Sequence, residues 1–560
     1  MEIKRERIFL ISALTALFVF IIISNFFIPI TYAVNDDTTM KAIASGAMSG
    51  TPDGHLIFVK YALGMLIAGL YRVVCGVDWY GCVMLGTVLV SVILFIYRAK
   101  HLFKNNLIFG VISVIAIFII TIFENYVNFQ FTVVSAIAAA AAIFFYNTID
   151  TKKEHCRWEY VIVLLLAWVS YSIRSETFIM ALPFAGLSLL FRDGKWRAKI
   201  TVGLLLLVGL VAITTVEKTA YSSEQWKSYQ KYNVVRSSVY DYYGVPKYED
   251  NKEFYTTIGM EEWDVKNLDE YNLYMIDGIA DEKMQKVSEY NENLQDEIPF
   301  SVHIKESVLL LIEGYFLNRS ILVNMLAKMV ILANLWFEFK KNRRKTGWLN
   351  LLFLAVEAAL VVYLALDGRI LTRVMTALFL IEFFSALSIW CREHQEIMVE
   401  VLRTKISKFV LAGMLALSAF MMFDVYENQK VQYEDNLEWE ALQSFYQKNS
   451  DNVYFTNTYY IWQYTDNFNI LEKNNLKNYS KLGEWSTYSP VEDAELERYG
   501  IEDVASALVD KDNVYLIYED PFDAITNRYA DQYKEVEWIQ VDEVIIAGES
   551  MPVYKLQGVK

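Results

Sequence analysis

Four cysteines, five histidines and eight prolines are spread over 560 residues, and only 21% of the chain is charged. Each scarcity removes a class of protein. Cys75, Cys82, Cys156 and Cys391 form no CxxC or other metal-ligand spacing, so neither a zinc site nor a disulfide scaffold is indicated. No glycine-rich phosphate loop and no Ser-His-Asp spacing occurs. The net charge of −15 has the wrong sign for a nucleic-acid partner. A soluble chain of this length would carry more charge and fewer long apolar runs.

What fills the sequence is hydrophobic, at 54%. Apolar runs of roughly 17–23 residues recur, the length needed to cross about 30 Å of hydrocarbon. The first, Ile8 to Ile30, follows Lys4, Arg5 and Arg7. It exceeds the roughly 7–15 apolar residues of a cleaved signal, so a retained anchor is expected. Lys and Arg in short loops mark the cytoplasmic side. Six basic clusters serve here: Lys4–Arg7, Arg98/Lys100/Lys104, Lys152/Lys153/Arg157, Arg192–Lys199, Lys340–Lys345 and Arg392–Lys408. Keeping all six inside predicts eleven spans, at 8–30, 81–97, 107–123, 131–146, 160–173, 177–191, 200–216, 321–337, 348–366, 374–390 and 409–423. The apolar stretches His55–Val74 and Ser307–Leu317 are read as helices lying along the outer interface. The expected fold is therefore a mainly α, multi-pass cell-membrane protein with a cytoplasmic N-terminus.

Two domains follow. Residues 1–423 form the transmembrane domain, with outer loops at 31–80 and 217–306. Residues 424–560 form a small extracytoplasmic α/β domain. Its expected strands are Asn452–Phe455, Val514–Tyr518 and a terminal hairpin of Val541–Ile546 with Met551–Tyr554 around Gly548, and Asp493–Val509 reads as helix.

The sharpest chemical feature is Asn35-Asp36-Asp37, just past the first run. Paired carboxylates at the edge of the hydrocarbon are costly to desolvate and are normally kept for a reason. A carboxylate there can take a proton from an acceptor hydroxyl. It can equally be an interfacial charge, or an N-cap of the helical pattern Thr38–Ala47. Further charges sit at the outer ends of spans: Arg174 and Glu176, Arg369 and Arg373, and Glu124 near Asn128 and Gln130. Guanidinium forks bind phosphate oxygens bidentately, which gives Arg174, Arg369 and Arg373 a role on a buried anion; headgroup contact or an Arg174–Glu176 pair is the plainer alternative. Glu124 reads as a second acid. With Asp36 and Asp37 it would supply hard oxygen ligands if a divalent metal were used. His101, His155 and His394 fall inside and are expected to be inert, and His55 reads as a hydrogen-bonding interface residue. The 217–306 loop carries Tyr229, Tyr232, Arg236, Tyr240, Asp241, Tyr242 and Tyr243, where Arg236 and Asp241 are candidate substrate contacts within either a sugar platform or a packed tyrosine-rich loop.

A basic-flanked first span, an acidic pair at its outer end and an interfacial helix resemble the GT-C superfamily of membrane glycosyltransferases. Protein O-mannosyltransferases and aminoarabinose transferases carry an acidic pair at this place, followed by a semi-embedded helix around a His-Pro-Pro-Leu-Gly-like sequence. Here the counterpart is Pro52-Asp53-Gly54-His55-Leu56 through Gly64 and Leu70-Tyr71, without the double proline. The resemblance implies an inverting transfer on the outer face. A sugar on a polyprenyl phosphate would pass to a glycan, lipid or protein acceptor, with the first-loop Asp as base and Arg residues on the donor phosphate. A surface-polysaccharide polymerase or ligase is the rival enzyme reading, and a polysaccharide or lipid transporter the non-enzymatic one. The transporter needs ionisable groups near mid-membrane, whereas the spans above put almost all charges at their ends.

Overall fold

The structure is a computed structural model that describes residues 2–103, 106–150, 157–340, 344–393, 405–472, 475–519 and 523–559. The basic loops at 151–156 and 394–404, with Cys156, His155 and His394, lie outside the described residues.

The chain is mainly helical. Its helices are α1 Glu2–Asn25, α2 Asn35–Ser45, α3 Tyr61–Val73, α4 Trp79–Phe103, α5 Leu107–Phe118, α6 Glu124–Val127, α7 Phe131–Thr148, α8 Arg157–Ile173, α9 Ser175–Phe191 and α10 Trp196–Ala220. After these come α11 Glu224–Ser237, α12 Lys252–Thr257, α13 Glu262–Asp269, α14 Met284–Asp296, α15 Phe300–Ile312, α16 Ile321–Lys340, α17 Arg344–Leu366, α18 Thr372–Glu393 and α19 Lys405–Lys448. Among the described residues, nine helices are long and apolar enough to cross a membrane. Of the eleven expected spans, those at 160–173 and 177–191 fall on the shorter apolar helices α8 and α9.

Burial separates these helices by role. In α7, Ala136 and Ala138–Ala142 sit among buried neighbours along almost the whole helix. Small side chains let helices approach closely where lipid supplies no hydrophobic drive between them. α18 is nearly as buried, so α7 and α18 form the centre of the bundle. α10 turns no face of its apolar stretch inward and lies at the periphery.

The helix ends sort by charge. At one end His101 of α4 meets Glu6 of α1, Arg98 meets Glu159 of α8, and Arg192 bonds the carbonyls of Tyr146 and Ile149 past α7. The starts of α4, α7, α9 and α18 lie at the other end, where α2 packs against α3 and α4. Two glycines make the tight chain path there possible. Gly46 ends α2 with φ 80°, and a Cβ on it would lie 2.6 Å from the backbone of Pro52. A Cβ on Gly64 would lie 2.1 Å from the carbonyl oxygen of Gly54.

Two lobes stand at this end. One, α11–α14, has its own core around Tyr255, Met260, Leu268, Leu273 and Val287. The other is C-terminal, a five-stranded mixed sheet in the order β4-β3-β5-β7-β6. Its strands are β3 Val453–Thr456, β4 Tyr479–Lys481, β5 Val514–Ile517, β6 Glu535–Ile546 and β7 Glu549–Val559; β1 Thr31–Tyr32 and β2 Asn128–Phe129 pair in parallel elsewhere. β4, β3 and β5 run parallel, and β6 and β7 form the terminal hairpin. β4 was absent from the sequence reading because three residues carry no period. The stretch 493–509 forms two helices, Pro490–Tyr499 and Val504–Asp510, broken at Gly500 with φ 68°. No break occurs at the expected boundary 423/424, since α19 runs through it unbroken from Lys405 to Lys448.

One expectation fails outright. The spans do not keep nearly all their charges at their ends. Lys328 of α16 lies 2.6 Å from Glu382 of α18 and 3.3 Å from Glu357 of α17, both carboxylates being buried inside the bundle. Buried charges survive in apolar surroundings only when paired, and this triad pairs its members across three helices.

Candidate functional site

The site is built on α2. Its first turn holds Asp36 and Asp37, where the aligned peptide dipoles favour negative charge. Neither residue is the cap: Val34 occupies that position, and no side chain caps the helix. The two carboxylates then diverge. Asp37 is fully buried and accepts a hydrogen bond from the Tyr80 hydroxyl of α4 at 2.7 Å, and the Phe131 backbone N–H at the start of α7 lies close enough to favour its charged form. Its Oδ2 is buried without a hydrogen-bond partner among the described residues. Burial holds its pKa well above the usual carboxylate range against those two groups. Asp36 is only partly buried. Burial raises its pKa too, opposed by the nearby positive charges of Arg373, Arg174 and Lys481 and helped by Asp241.

These neighbours come from separate parts of the chain. Arg174 occupies the α8–α9 turn, stacks over Phe58 and Phe131 at 5.3 Å from each ring, and pairs with the exposed Glu176 at 3.0 Å. Arg369 lies in the α17–α18 turn. It pairs with Asp241 at 3.3 Å and sits 5.1 Å over the Tyr242 ring. Asp241 and Tyr242 belong to a π-helical turn, Ser238–Tyr243, that continues α11. Arg373 opens α18 and has no carboxylate within ion-pair distance among the described residues. Lys481 arrives from β4 and pairs with Glu484 at 2.9 Å, while Glu484 accepts from Thr39 of α2 at 3.5 Å.

A cavity of about 400 Å3 opens at the foot of α2, with Arg373 in its wall but neither Asp36 nor Asp37 among its lining residues. Ala33 and Val34, just before α2, form one wall; Glu124, Asn128 and Gln130 form another; Arg319, Leu371, Thr372 and Arg373 complete it. Glu124 follows a π-helical turn, Ile119–Phe123, of the kind often found at functional positions. It faces Arg319 at 4.0 Å, and Arg319 also reaches Asp424 at 3.1 Å. Among the described residues no three His, Cys, Asp or Glu side chains gather to hold a metal, so Glu124 does not join Asp36 and Asp37 in such a set.

Two expected site residues fall elsewhere. His55 is enclosed by Tyr61, Tyr221 and Trp226, its ring 4.6–4.9 Å from theirs, with Nδ1 2.6 Å from Asp53 and Nε2 3.4 Å from the Ala220 carbonyl. It ties the 52–60 segment to α10 and α11. Arg236 is buried in the α11–α14 lobe, donating to Asn233 at 2.9 Å and to the Tyr271 hydroxyl at 2.5 Å. Sequence reasoning missed Tyr80, Arg319 and Lys481, none of which stands out from its local neighbours.

The C-terminal lobe is stitched to α2 by a buried ion cluster. Lys41 pairs with Asp466 at 2.5 Å and Glu472 at 2.8 Å. Burial would lower the Lys41 pKa, but these two carboxylates carry it above its ordinary value. Main-chain bonds from Tyr32 to Asp466 and from Phe468 to Ile30 hold the same seam. Compared with family models, with curated proteins and with solved structures, the chain finds no match in any of the three.

Proposed function

We propose that this chain is a membrane glycosyltransferase that moves a sugar from a polyprenyl-phosphate donor to an acceptor hydroxyl on the outer face of the membrane. One observation supports the reading: a partly buried carboxylate, Asp36, lies within the electrostatic reach of Arg373 and Arg174, and Arg373 lines a polar cavity walled by bundle helices. A base needs a pKa near the working pH, and burial raises that of Asp36. The acceptor O–H proton passes to Asp36. The acceptor oxygen forms its bond to C1 as the C1–O bond to phosphate breaks, and the phosphate keeps that electron pair. Arg373 offsets the charge that develops on it. Asp37, bonded by Tyr80, positions α2 and is not itself the base. The basic residues gathered at the opposite bundle end support a cytoplasmic assignment for that end and an outer one for the site.

The test is transfer by purified protein with a panel of polyprenyl-phosphate sugars. Asp36→Asn should lower the rate by about 10²–10⁴ while donor binding stays near normal. Full activity in that variant, or no transfer by the wild type from any such donor, would overturn the reading.

The buried Lys328–Glu357–Glu382 triad favours a second reading, a transporter with ionisable groups inside its spans. Ion or lipid flux in proteoliposomes that Glu382→Gln abolishes would select it.

A further inference from the structure

The α17–α18 turn has two sides, and so far only one has been used. Leu371, Thr372 and Arg373 line the first cavity, at the foot of α2. Asp367 and Gly368, a few residues earlier in the same turn, line a second and larger cavity of about 1080 Å3 between α11, α15 and α17.

The two cavities differ in charge. The first holds Arg319 and Arg373 against Glu124. The second has no Lys or Arg in its lining among the described residues; its acids are Glu306 and Asp367, and its one imidazole, His303, has its Nε2 3.3 Å from the Gln295 carbonyl. A phosphate would be repelled there. The polar wall, with Asn233, Ser237 and Gln295, offers hydroxyl and amide groups that both donate and accept. That combination suits a ligand rich in hydroxyls. Tyr242 and Tyr243 present partly exposed rings at the rim, and flat apolar faces of this kind pack against the C–H faces of a pyranose.

The opposite wall is aliphatic, made by Leu309, Leu310 and Leu366. α15 continues that apolar surface outward through exposed Val308 and Ile312. A ligand filling both walls has a sugar head and an alkyl chain. Its head would also lie next to the reacting groups. Ser237 of this cavity donates to Asp241 at 2.5 Å, Asp241 pairs with Arg369, and Arg369 and Arg373 share one turn.

We infer that this groove binds an uncharged glycolipid through its sugar head and first chain segment. The transferase reading above enters only in naming this ligand the acceptor.

The experiment uses full-length protein in phosphatidylcholine nanodiscs and radiolabelled probes. Monoglucosyl diacylglycerol should bind at least about tenfold, or about 1.4 kcal/mol, more tightly than diacylglycerol or phosphatidylglycerol. Free maltose should bind far more weakly. Ser237→Trp fills the groove and Tyr242→Ala removes an exposed ring without disturbing a core. Each should weaken glycolipid binding by about tenfold or more, and Trp462→Ala, at an exposed position of the C-terminal lobe outside both cavities, should leave it within about twofold. Equal binding of the three lipids, glycolipid binding untouched by both groove variants, or an equal loss in Trp462→Ala would overturn the proposal. Maltose binding as tightly as the glycolipid would overturn the chain requirement. The two readings fail separately. Glycolipid held in the groove with no sugar transfer leaves the groove standing and removes the transferase. Sugar transfer with no glycolipid binding does the reverse.

Discussion

Two charged clusters in this protein both set a cation against carboxylates and reach opposite outcomes. In the bundle interior, Lys328 meets two carboxylates at 2.6 and 3.3 Å, and Glu357 and Glu382 are almost wholly buried. At the bundle end, Asp36 is partly open to solvent and feels the charge of Arg373, which has no carboxylate in ion-pair contact among the described residues. The interior cluster spends its cation on its own acids. The end cluster leaves a guanidinium available beside a cavity. Burial alone therefore does not mark a site; an unsatisfied charge with room next to it does. The C-terminal lobe adds a third arrangement, in which Glu492 is buried beside Glu484 and Glu495 and accepts from Tyr274 at 2.8 Å and Ser486 at 2.6 Å.

The largest expected effect tests whether the triad is sealed. Lys328→Met leaves two buried carboxylates unpaired and should cost about 3–5 kcal/mol, read by denaturation in detergent. Adding Glu357→Gln and Glu382→Gln should return most of it. Unchanged stability in the single variant would mean that water reaches the cluster, and the contrast with the end site would collapse.

Next comes the free guanidinium. Arg373→Ala should weaken polyprenyl-phosphate binding by about 2 kcal/mol or more, because a charge-assisted contact to a buried phosphate is lost. Arg174→Ala and Arg369→Ala should lose less, since Glu176 and Asp241 already hold those side chains. Equal losses in all three, measured by equilibrium binding, would erase the distinction between paired and unpaired cations.

A smaller effect should follow pH. Burial, helped by Glu484 and Glu495, raises the Glu492 pKa to about 8. The folded lobe thus holds a proton that the unfolded chain gives up near 4.5, its ordinary value. That stabilisation is complete below the ordinary value and fades as pH rises toward about 8. Melting temperature should fall across that interval in the wild type, and Glu492→Gln should flatten the curve. A wild-type profile as flat as the variant's would show Glu492 ionised throughout.

The smallest concerns Glu176, which is mostly exposed. Exposed pairs are worth roughly 0.2–1 kcal/mol, so Glu176→Gln should leave stability almost unchanged. It should slightly tighten phosphate binding by releasing Arg174. A large stability loss would place Glu176 in the structural class with the triad.

The sequence by itself determined the helical membrane character, most helix positions, the strand runs at 453–456 and 514–517 and the place of Asp36 and Asp37. Those follow from hydropathy, length and period, which are local properties of the chain. It also singled out Arg174, Arg369 and Arg373, because charges at span ends stand out against apolar runs, and Asp241 within the tyrosine-rich 217–306 loop. It misjudged the interior of the spans, where Lys328, Glu357 and Glu382 are too far apart in sequence to read as a cluster. It could not separate Asp36 from Asp37, since adjacent residues on a helix point in different directions and only the neighbours decide which is enclosed. Tertiary structure alone brought Lys481 to Asp36 and Tyr80 to Asp37, and closed His55 and Arg236 into packed cores. It also gave the α17–α18 turn a cavity on each side. Each of these depends on which surfaces the folded chain presses together, and such long-range pairings are set by packing and desolvation across the whole molecule, which no local window of residues encodes.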